Sequence, residues 1–258
     1  LYQGNELEIE ERSITWPRVL DVNDRALRHI VTGLGGRIDG VTRQSSFDIT
    51  PASEVMVIMS LATSLKDLRE RLGRIVIGRS KSGKWITAED LQAAGAMTAL
   101  LRDALQPNLL RTSENTPVLI HTGPFGNIAT GCSSVVADLI AAQHADYVVT
   151  EAGFGADMGA ERFFDLKCAV SGLRPHAAVL VTTVRSLKSH SGKFKITAGK
   201  GLPEQMLAES PQDVRAGQAN LLKHIEIVRG FGMEPVVAIN VFPTDHESEL
   251  AEIEAIAR

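Results

Sequence analysis

Short runs of apolar residues alternate along the chain with longer segments in which apolar residues recur every three or four positions. The first pattern is typical of buried strands and the second of amphipathic helices. It predicts strands at residues 117–121, 146–151, 177–185 and 235–241, with a loop and then a helix after each of them. This alternation predicts an α/β fold with a mostly parallel sheet and helices on both faces.

Residues typical of helix caps predict where two of the helices begin. Thr50 and Pro51 suit the cap and the first position of a helix over 47–73, and Ser210 and Pro211 suit those of a second helix. The periodic pattern predicts further helices between these two. The predicted helices cover 47–73, 88–105, 128–145, 158–171, 210–230 and the segment after Asp245.

Ligands of parallel sheets bind where the strands end, so loops that follow different strands should share one edge. Three stretches are expected to meet there: HTGPFGNIATG (121–131), EAGFGADMGAE (151–161) and VTTVRSLKSHSG (181–192). Phe242 follows the last predicted strand and joins them. The second stretch lies between a predicted strand and a predicted helix, an arrangement that offers unpaired N–H groups to an anion or a nucleotide.

Each glycine-rich loop lets a flat ring lie directly on the main chain, and each presents one phenylalanine, Phe125 or Phe154. This combination favours an adenine site over a metal site. In the third loop Arg185 and Lys188 flank a strand end, where two cations suit a phosphate or a carboxylate. The alternative is a solvated basic turn, because Lys193 and Lys195 follow.

Other polar residues leave alternatives open. Glu151 and Asp157 are compatible with magnesium, and Asp157 equally with a helix cap. His121 and His190 each stand alone in sequence, so a structural role is favoured over acid–base catalysis. No spacing of Cys and His typical of a metal site is present.

The segment 78–84 matches the spacing of a phosphate-binding loop, but the match is incomplete. The next residue is Trp85, where such a loop carries the hydroxyl that holds magnesium. A β-turn between two short strands is the preferred interpretation.

The composition and charge of the chain bear on its partners and its cellular compartment. A net charge of −4 over 258 residues argues against a general nucleic-acid surface. No apolar run reaches the roughly 18 residues of a membrane helix. Cys132 and Cys168 are far apart, which favours a reducing, cytoplasmic compartment. The first residue is Leu1 and the last helical pattern has no cap, so we expect a fragment of a longer protein.

From the residues alone, two classes of enzyme remain. One is a nucleotide-dependent ligase or kinase-like enzyme, and the other is a nicotinamide-dependent oxidoreductase. The second rests on GFGADMG, whose third glycine is one position late for a dinucleotide loop. A non-catalytic fragment is a third possibility.

Seven stretches resemble formate–tetrahydrofolate ligases over nearly the whole chain. They are ITWPRVLDVNDRALR (14–28), FDITPASEVM (47–56), ERLGRIVIG (70–78), TPVLIHTGPFGNIATGCSS (116–134), DYVVTEAGFGADMGAERFFDLKC (146–168), VTTVRSLKSHSG (181–192) and VVAINVFPTDHESE (236–249).

The resemblance implies an enzyme that uses ATP to convert formate into formyl phosphate, which tetrahydrofolate then attacks. It implies a P-loop NTPase-like nucleotide domain over 1–234, with a folate-binding domain beginning at 235–258. Mg²⁺ and a monovalent cation are expected with ATP. We further expect a cytoplasmic homo-oligomer that binds neither nucleic acid nor membranes.

The resemblance also assigns residues. Adenine would lie between Gly126 and Gly153, near Phe154, with Asn127 and Gly155 in the same ATP site. Phe242 matches the aromatic residue that stacks on the pterin. Placing Arg185 and Lys188 at a phosphate or at the folate tail is a separate hypothesis.

The chain departs from the family pattern at a few positions. Gly126, Thr130 and Cys132 replace the usual alanine, histidine and asparagine, and Ser186 and Ser191 also differ. The family's phosphate loop, its formyl-phosphate arginine and a second pterin-stacking residue are expected outside the chain. We therefore expect residues 1–258 alone to be inactive.

Overall fold

The computed structural model describes residues 4–124, 130 and 133–258. They divide into two compact units. Unit 1 comprises Leu1–Gly153 and Asp165–Leu173, and unit 2 comprises Phe154–Phe164 and Arg174–Arg258. Phe125, Gly126, Asn127 and Cys132 lie outside the described residues, so the predictions made for them stay predictions.

The strands are short and pair two by two. In the described part of the chain they are β1 (Arg18–Val19), β2 (Ile30–Thr32), β3 (Arg43–Ser45), β4 (Phe47–Asp48), β5 (Val76–Arg79), β6 (Trp85–Thr87), β7 (Asn108–Arg111), β8 (Pro117–Ile120), β9 (Ala178–Thr182) and β10 (Pro235–Ile239). The β1–β4 and β9–β10 pairs are parallel, and β2–β3, β5–β6 and β7–β8 are antiparallel. The chain is mixed α/β. Its described strands form five two-stranded sheets, whereas the sequence predicted one mostly parallel sheet.

The helices are interspersed with the strands. Among the described residues they are α1 (Glu54–Leu61), α2 (Leu65–Gly73), α3 (Ala94–Leu101), α4 (Val135–His144), α5 (Ala169–Ser171), α6 (Val184–His190), α7 (Glu204–Leu207), α8 (Pro211–Ala216), α9 (Gln218–Gly230) and α10 (Glu247–Ala257). Two π-helical segments, Ala156–Ala160 and Phe163–Cys168, precede α5. Short 3₁₀ turns occupy Glu11–Ser13, Arg25–Arg28, Arg37–Asp39, Thr50–Ala52 and Asp103–Leu105.

The predicted helix over 47–73 is wrong as a single element. Ser53, not Thr50, caps α1 by accepting from Met56 N–H, and Ser64 caps α2. Serine side chains compete with the main chain and end a helix where the backbone turns extended. Apolar periodicity continues across this break, so it could not reveal it.

The predicted buried strand at 146–151 is also wrong. These residues form neither strand nor helix, and the side chains of Tyr147 and Val149 are 91% and 96% exposed. In contrast, the turn predicted at 78–84 is confirmed, because it connects the antiparallel strands β5 and β6.

Unit 2 is built on the parallel β9–β10 pair. One face of this pair packs through Leu180, Val237 and Ile239 against a core of buried residues from α6, α8, α9 and α10. That core consists of Val184, Leu187, Val214, Leu221, Ile225 and Ile253. Residues 235–258 therefore pack within the same unit as β9, and the domain boundary at 234/235 stays a prediction.

Gly217, between α8 and α9, marks the closest approach of these helices to α6. A Cβ atom at this position would lie 1.9 Å from the carbonyl oxygen of Leu187. Its backbone conformation is ordinary, with φ −90°, so close packing and not torsion requires the glycine.

We predict that Gly217→Ala lowers the free energy of unfolding by about 2 to 3 kcal/mol, because a methyl group must displace the α6 main chain. Chemical denaturation followed by circular dichroism measures this. Gly230→Ala, where no atom lies within 4 Å of the added Cβ, is the matched control and should be near neutral. Equal effects of both substitutions would contradict the close-packing explanation.

Candidate functional site

The carboxyl ends of β9 and β10 bring two loops together. Thr182 pairs with Ile239, and Asn240 N–H donates to Thr182 carbonyl oxygen at 2.9 Å, which extends the pairing past the strand end. The chain after β9 enters α6 at once, whereas the chain after β10 forms a turn before α10. The predicted convergence of strand-end residues is therefore confirmed for this pair of strands.

Arg185 and Phe242 meet at this edge. The guanidinium carbon of Arg185 lies 4.0 Å from the centroid of the Phe242 ring. Its Nη2 donates to Thr244 Oγ1 at 2.9 Å, while its buried Nε has no hydrogen-bond partner among the described residues. The guanidinium of Arg185 covers one face of the half-buried Phe242 ring, and its Nε–H donor is not used by the described residues.

The turn that presents Phe242 is closed by Asp245. Asp245 Oδ2 accepts from Phe242 N–H at 2.9 Å, and Asp245 N–H donates back to the Phe242 carbonyl oxygen. The predicted turn over 242–245 is confirmed, and it fixes the main chain of the aromatic residue.

Lys188, one turn after Arg185 on α6, is buried and not at the loop surface. Its ammonium forms an ion pair with Glu249 of α10 and donates to the carbonyl oxygens of Met206 at 3.1 Å and Ala208 at 2.7 Å. These three partners use its three donors. This geometry does not support a direct phosphate contact by Lys188 and gives the residue a structural role.

Glu249 joins several elements. Besides Lys188, it accepts from the main-chain N–H of Ser210, which caps α8, and from that of His246, which caps α10. Burial alone would raise the pKa of Glu249, but the Lys188 ammonium and the two N–H donors outweigh burial and lower it. The carboxylate is therefore charged in the folded protein at neutral pH.

The glycine-rich turn has an unusual backbone. Gly153 and Phe154 both have positive φ, at 70° and 50°. A phenylalanine in this left-handed region is strained, and its side chain is 71% exposed. An exposed aromatic ring held on a strained backbone is consistent with a ligand-binding role, and the assignment of Phe154 to adenine stays a prediction.

Gly155 differs from the expectation that its bare main chain receives a ligand ring. A Cβ atom there would lie 2.7 Å from Cε1 of His224, whose Nδ1 accepts from Ala156 N–H at 3.1 Å. The flat ring on this glycine belongs to the protein itself. His224 was missed by the sequence analysis, because it lies on α9 far along the chain and no spacing connects it to the turn.

The two histidines that were singled out are engaged within the chain. His121 is buried, with Nε2 2.7 Å from the Ala104 carbonyl oxygen and Nδ1 2.6 Å from Ser134 Oγ. Ser134 in turn caps α4. His190 is exposed and bonds to the Ser186 carbonyl oxygen. The burial and two partners of His121 support a structural role, whereas the structural role of His190 stays a prediction.

Ser186, one of the departures from the family pattern, also has a structural explanation. Its side chain and that of Thr183 exchange hydrogen bonds with each other's main-chain N–H groups, which forms a capping box at the start of α6. The substitution therefore strengthens the helix that carries Arg185.

Metal ligands are not clustered in this part of the chain. Among the described residues, no group of three or more His, Cys, Asp or Glu side chains is arranged to hold a metal ion. Asp157 is in the first turn of its helix, and Gly155 occupies the cap position.

Burial raises the pKa of the half-buried Cys168, which disfavours its reactive thiolate.

Comparisons with known proteins first indicate a class: the chain is similar to ligases. A family model described as formate–tetrahydrofolate ligase matches residues 1–258, the whole chain. The chain belongs to the formate–tetrahydrofolate ligase family, as the resemblance indicated. The comparisons do not support the nicotinamide-dependent oxidoreductase.

Similar curated proteins carry the same description. The formate–tetrahydrofolate ligase of Cutibacterium acnes is 63% identical over 257 residues, and that of Saccharopolyspora erythraea is 64% identical over 257 residues. Formate–tetrahydrofolate ligase 3 of Rubrobacter xylanophilus is 64% identical over 258 residues. Each alignment covers 100% of this chain and 45 to 46% of the relative. The chain thus spans about half the length of the curated relatives it matches.

Within the described residues, no helix combines the length and the apolar character that crossing a bilayer requires.

We predict that Lys188→Met lowers the free energy of unfolding by about 3 to 5 kcal/mol at neutral pH, because Glu249 is left buried without its cation. Denaturant titration measures the loss. Lys223→Ala, which breaks an exposed ion pair with Glu226, is the control and should cost less than about 1 kcal/mol.

The stability difference between wild type and Lys188→Met should also depend on pH. Glu249 stabilises the native chain above the pKa of an unfolded glutamate, and that contribution is lost as the pH falls through the lowered folded value. The difference between wild type and Lys188→Met should therefore shrink on acidification. A difference independent of pH would show that the ion pair is not its source.

Proposed function

We propose that the protein carrying this chain ligates formate to tetrahydrofolate at the expense of ATP. The supporting observation is the family match over all 258 residues, together with relatives at 63 to 64% identity that are described as formate–tetrahydrofolate ligases. The edge formed by Arg185 and Phe242 supports it independently, because it combines a planar aromatic surface with a cation.

The proposed reaction has two steps. A formate oxygen takes the γ-phosphoryl group of ATP, and ADP leaves with formyl phosphate remaining. The N10 amine of tetrahydrofolate then attacks the formyl carbon, inorganic phosphate leaves, and the amine loses a proton. The products are 10-formyltetrahydrofolate, ADP and phosphate.

We assign the folate end of the site to the β9–β10 edge. Phe242 would stack on the pterin with the ring face opposite Arg185. The guanidinium would hold this ring in place and use its remaining donors for an anionic group, either the folate tail or a phosphate. Lys188 contributes by holding α6, and Arg185 is the cation that remains available to a ligand.

We assign the ATP end to the glycine-rich loops. On the family resemblance, Gly126, Asn127, Gly153 and Phe154 would contact ATP, whereas Gly155 would contribute only through the shape of the turn, because the imidazole of His224 already covers it. The exposed ring and strained backbone of Phe154 support this assignment. Mg²⁺ would accompany the phosphates, which supply most of its ligands in such sites. A monovalent cation is proposed on the family resemblance alone.

The larger architecture is also a proposal. We infer that β9 and β10 belong to a larger, mostly parallel sheet of a P-loop NTPase-like domain. Val179, Val181 and Val236 support this, because they are 66, 63 and 63% exposed on strands whose alternate residues enter the core. We further propose a cytoplasmic homo-oligomer without nucleic-acid or membrane partners, consistent with the net charge of −4.

The direct test is product formation by the full-length protein that carries this chain. We expect 10-formyltetrahydrofolate to appear only when ATP, Mg²⁺, formate and tetrahydrofolate are all present, with one ADP released for each product molecule. Titration with NADH should leave the fluorescence of the cofactor unchanged. Product formation without ATP, or saturable NADH binding, would overturn the assignment.

Phe242→Ala should raise the KM for tetrahydrofolate by roughly three- to tenfold, because one aromatic stacking contact is lost. The KM for ATP should not change. Phe231→Ala is the control, since Phe231 stacks on Phe164 within unit 2 with ring centroids 4.4 Å apart. That substitution should lower stability without a selective effect on folate, and equal effects on folate would remove the stacking role of Phe242.

A further inference from the structure

His224 connects α9 to the glycine-rich turn. Its Nδ1 accepts the hydrogen bond from Ala156 N–H at 3.1 Å, and its ring packs against Gly155. Ala156 is the first residue of the π-helical segment, so its N–H has no partner inside that helix. The imidazole therefore satisfies a main-chain donor at the point where the turn becomes a helix.

The contact with Gly155 is tight on two sides. An added Cβ would lie 2.7 Å from His224 Cε1 and 2.5 Å from Asp157 Oδ1. The backbone of Gly155 is extended, with φ −83° and ψ 169°, which every residue can adopt. The position needs glycine because the imidazole occupies the space of a side chain.

The hydrogen bond also assigns a role to one ring nitrogen. An N–H group donates only to a nitrogen that carries a lone pair, so Nδ1 of His224 is the acceptor in this contact. His224 is thus oriented as a hydrogen-bond acceptor toward the turn.

The helix that carries His224, α9, is packed into the core of unit 2. Leu221, Ile225 and Val228 of α9 are buried, and Ala156 and Ala160 pack in one cluster with Val228. By contrast, Phe154 is exposed and has φ 50°. A strained backbone persists only where its surroundings hold it. Next to Phe154, the Gly155 carbonyl oxygen accepts from the N–H groups of Met158 and Gly159 within the turn, and His224 supplies a contact from another element, α9.

We propose that His224 is a positioning residue of the nucleotide site. It fixes the main chain at Gly155 and Ala156 so that Phe154 is presented in one conformation to the adenine of ATP. This inference rests on the proposed function for the identity of the ligand, whereas the positioning itself is independent of the ligand.

Three variants of His224 separate the effect of side-chain shape from that of the hydrogen bond. His224→Asn places an amide oxygen near the position of Nδ1, whereas His224→Gln carries the same amide one methylene farther out. His224→Phe keeps a flat ring without an acceptor. His144→Gln, on the exposed face of α4, is the control for loss of a histidine.

The first readout is hydrogen exchange of the Ala156 amide in the full-length protein without nucleotide. We expect exchange at least about tenfold faster in His224→Phe and His224→Gln, near wild type in His224→Asn, and unchanged in His144→Gln. Unchanged exchange in all variants would overturn the positioning role. If His224→Phe does not fold, the Asn and Gln variants decide the question.

The second readout is steady-state kinetics. His224→Gln should raise the KM for ATP by about tenfold with the KM for tetrahydrofolate unchanged, and His224→Asn should restore it. Equal changes in both KM values would indicate a general structural defect and overturn the role in ATP binding. A wild-type protein that makes no 10-formyltetrahydrofolate would refute the proposed function, while the exchange result would still decide whether His224 positions the turn.

Discussion

The buried ion pair between Lys188 and Glu249 sets the geometry of the β9–β10 edge. Removing two charges from water is costly, and the cost is offset only when every donor and acceptor finds a partner. Here Lys188 also binds two carbonyl oxygens, and Glu249 also binds two N–H groups that begin helices. The pair therefore holds α6, α8 and α10 in one arrangement.

The arrangement of these helices explains why the ring of Phe242 has a defined orientation although it lies in a loop. Arg185 lies one helical turn before Lys188, and Phe242 lies in the turn that leads into the helix of Glu249. Holding the two helices together brings the guanidinium over the ring. The structure thus separates two cations that look alike in sequence: Lys188 fixes the helices, and Arg185 lies over the Phe242 ring at the edge of the β9–β10 pair.

Local patterns predicted local structure well. Apolar runs located β8, β9 and β10, and Ser210 with Pro211 located the start of α8, because these signals lie within one element. Partners in three dimensions were not predictable in this way. The antiparallel pairing of β8 with β7, the exposure of Tyr147 and the burial of Lys188 all depend on residues distant in sequence. The position of Phe242 beside Arg185 was predictable, because a strand end is a local signal with a known place in the sheet.

Glycine-rich turns show why a sequence motif underdetermines a binding site. A missing side chain indicates that something lies close to the main chain, but it does not say what. At Gly155 the neighbour is the imidazole of His224, and at Gly217 it is the carbonyl group of Leu187. In the described part of this turn, Phe154 combines an exposed ring with a left-handed backbone that an aromatic residue rarely adopts. The proposed nucleotide site at this turn therefore rests more on the phenylalanine than on the glycines.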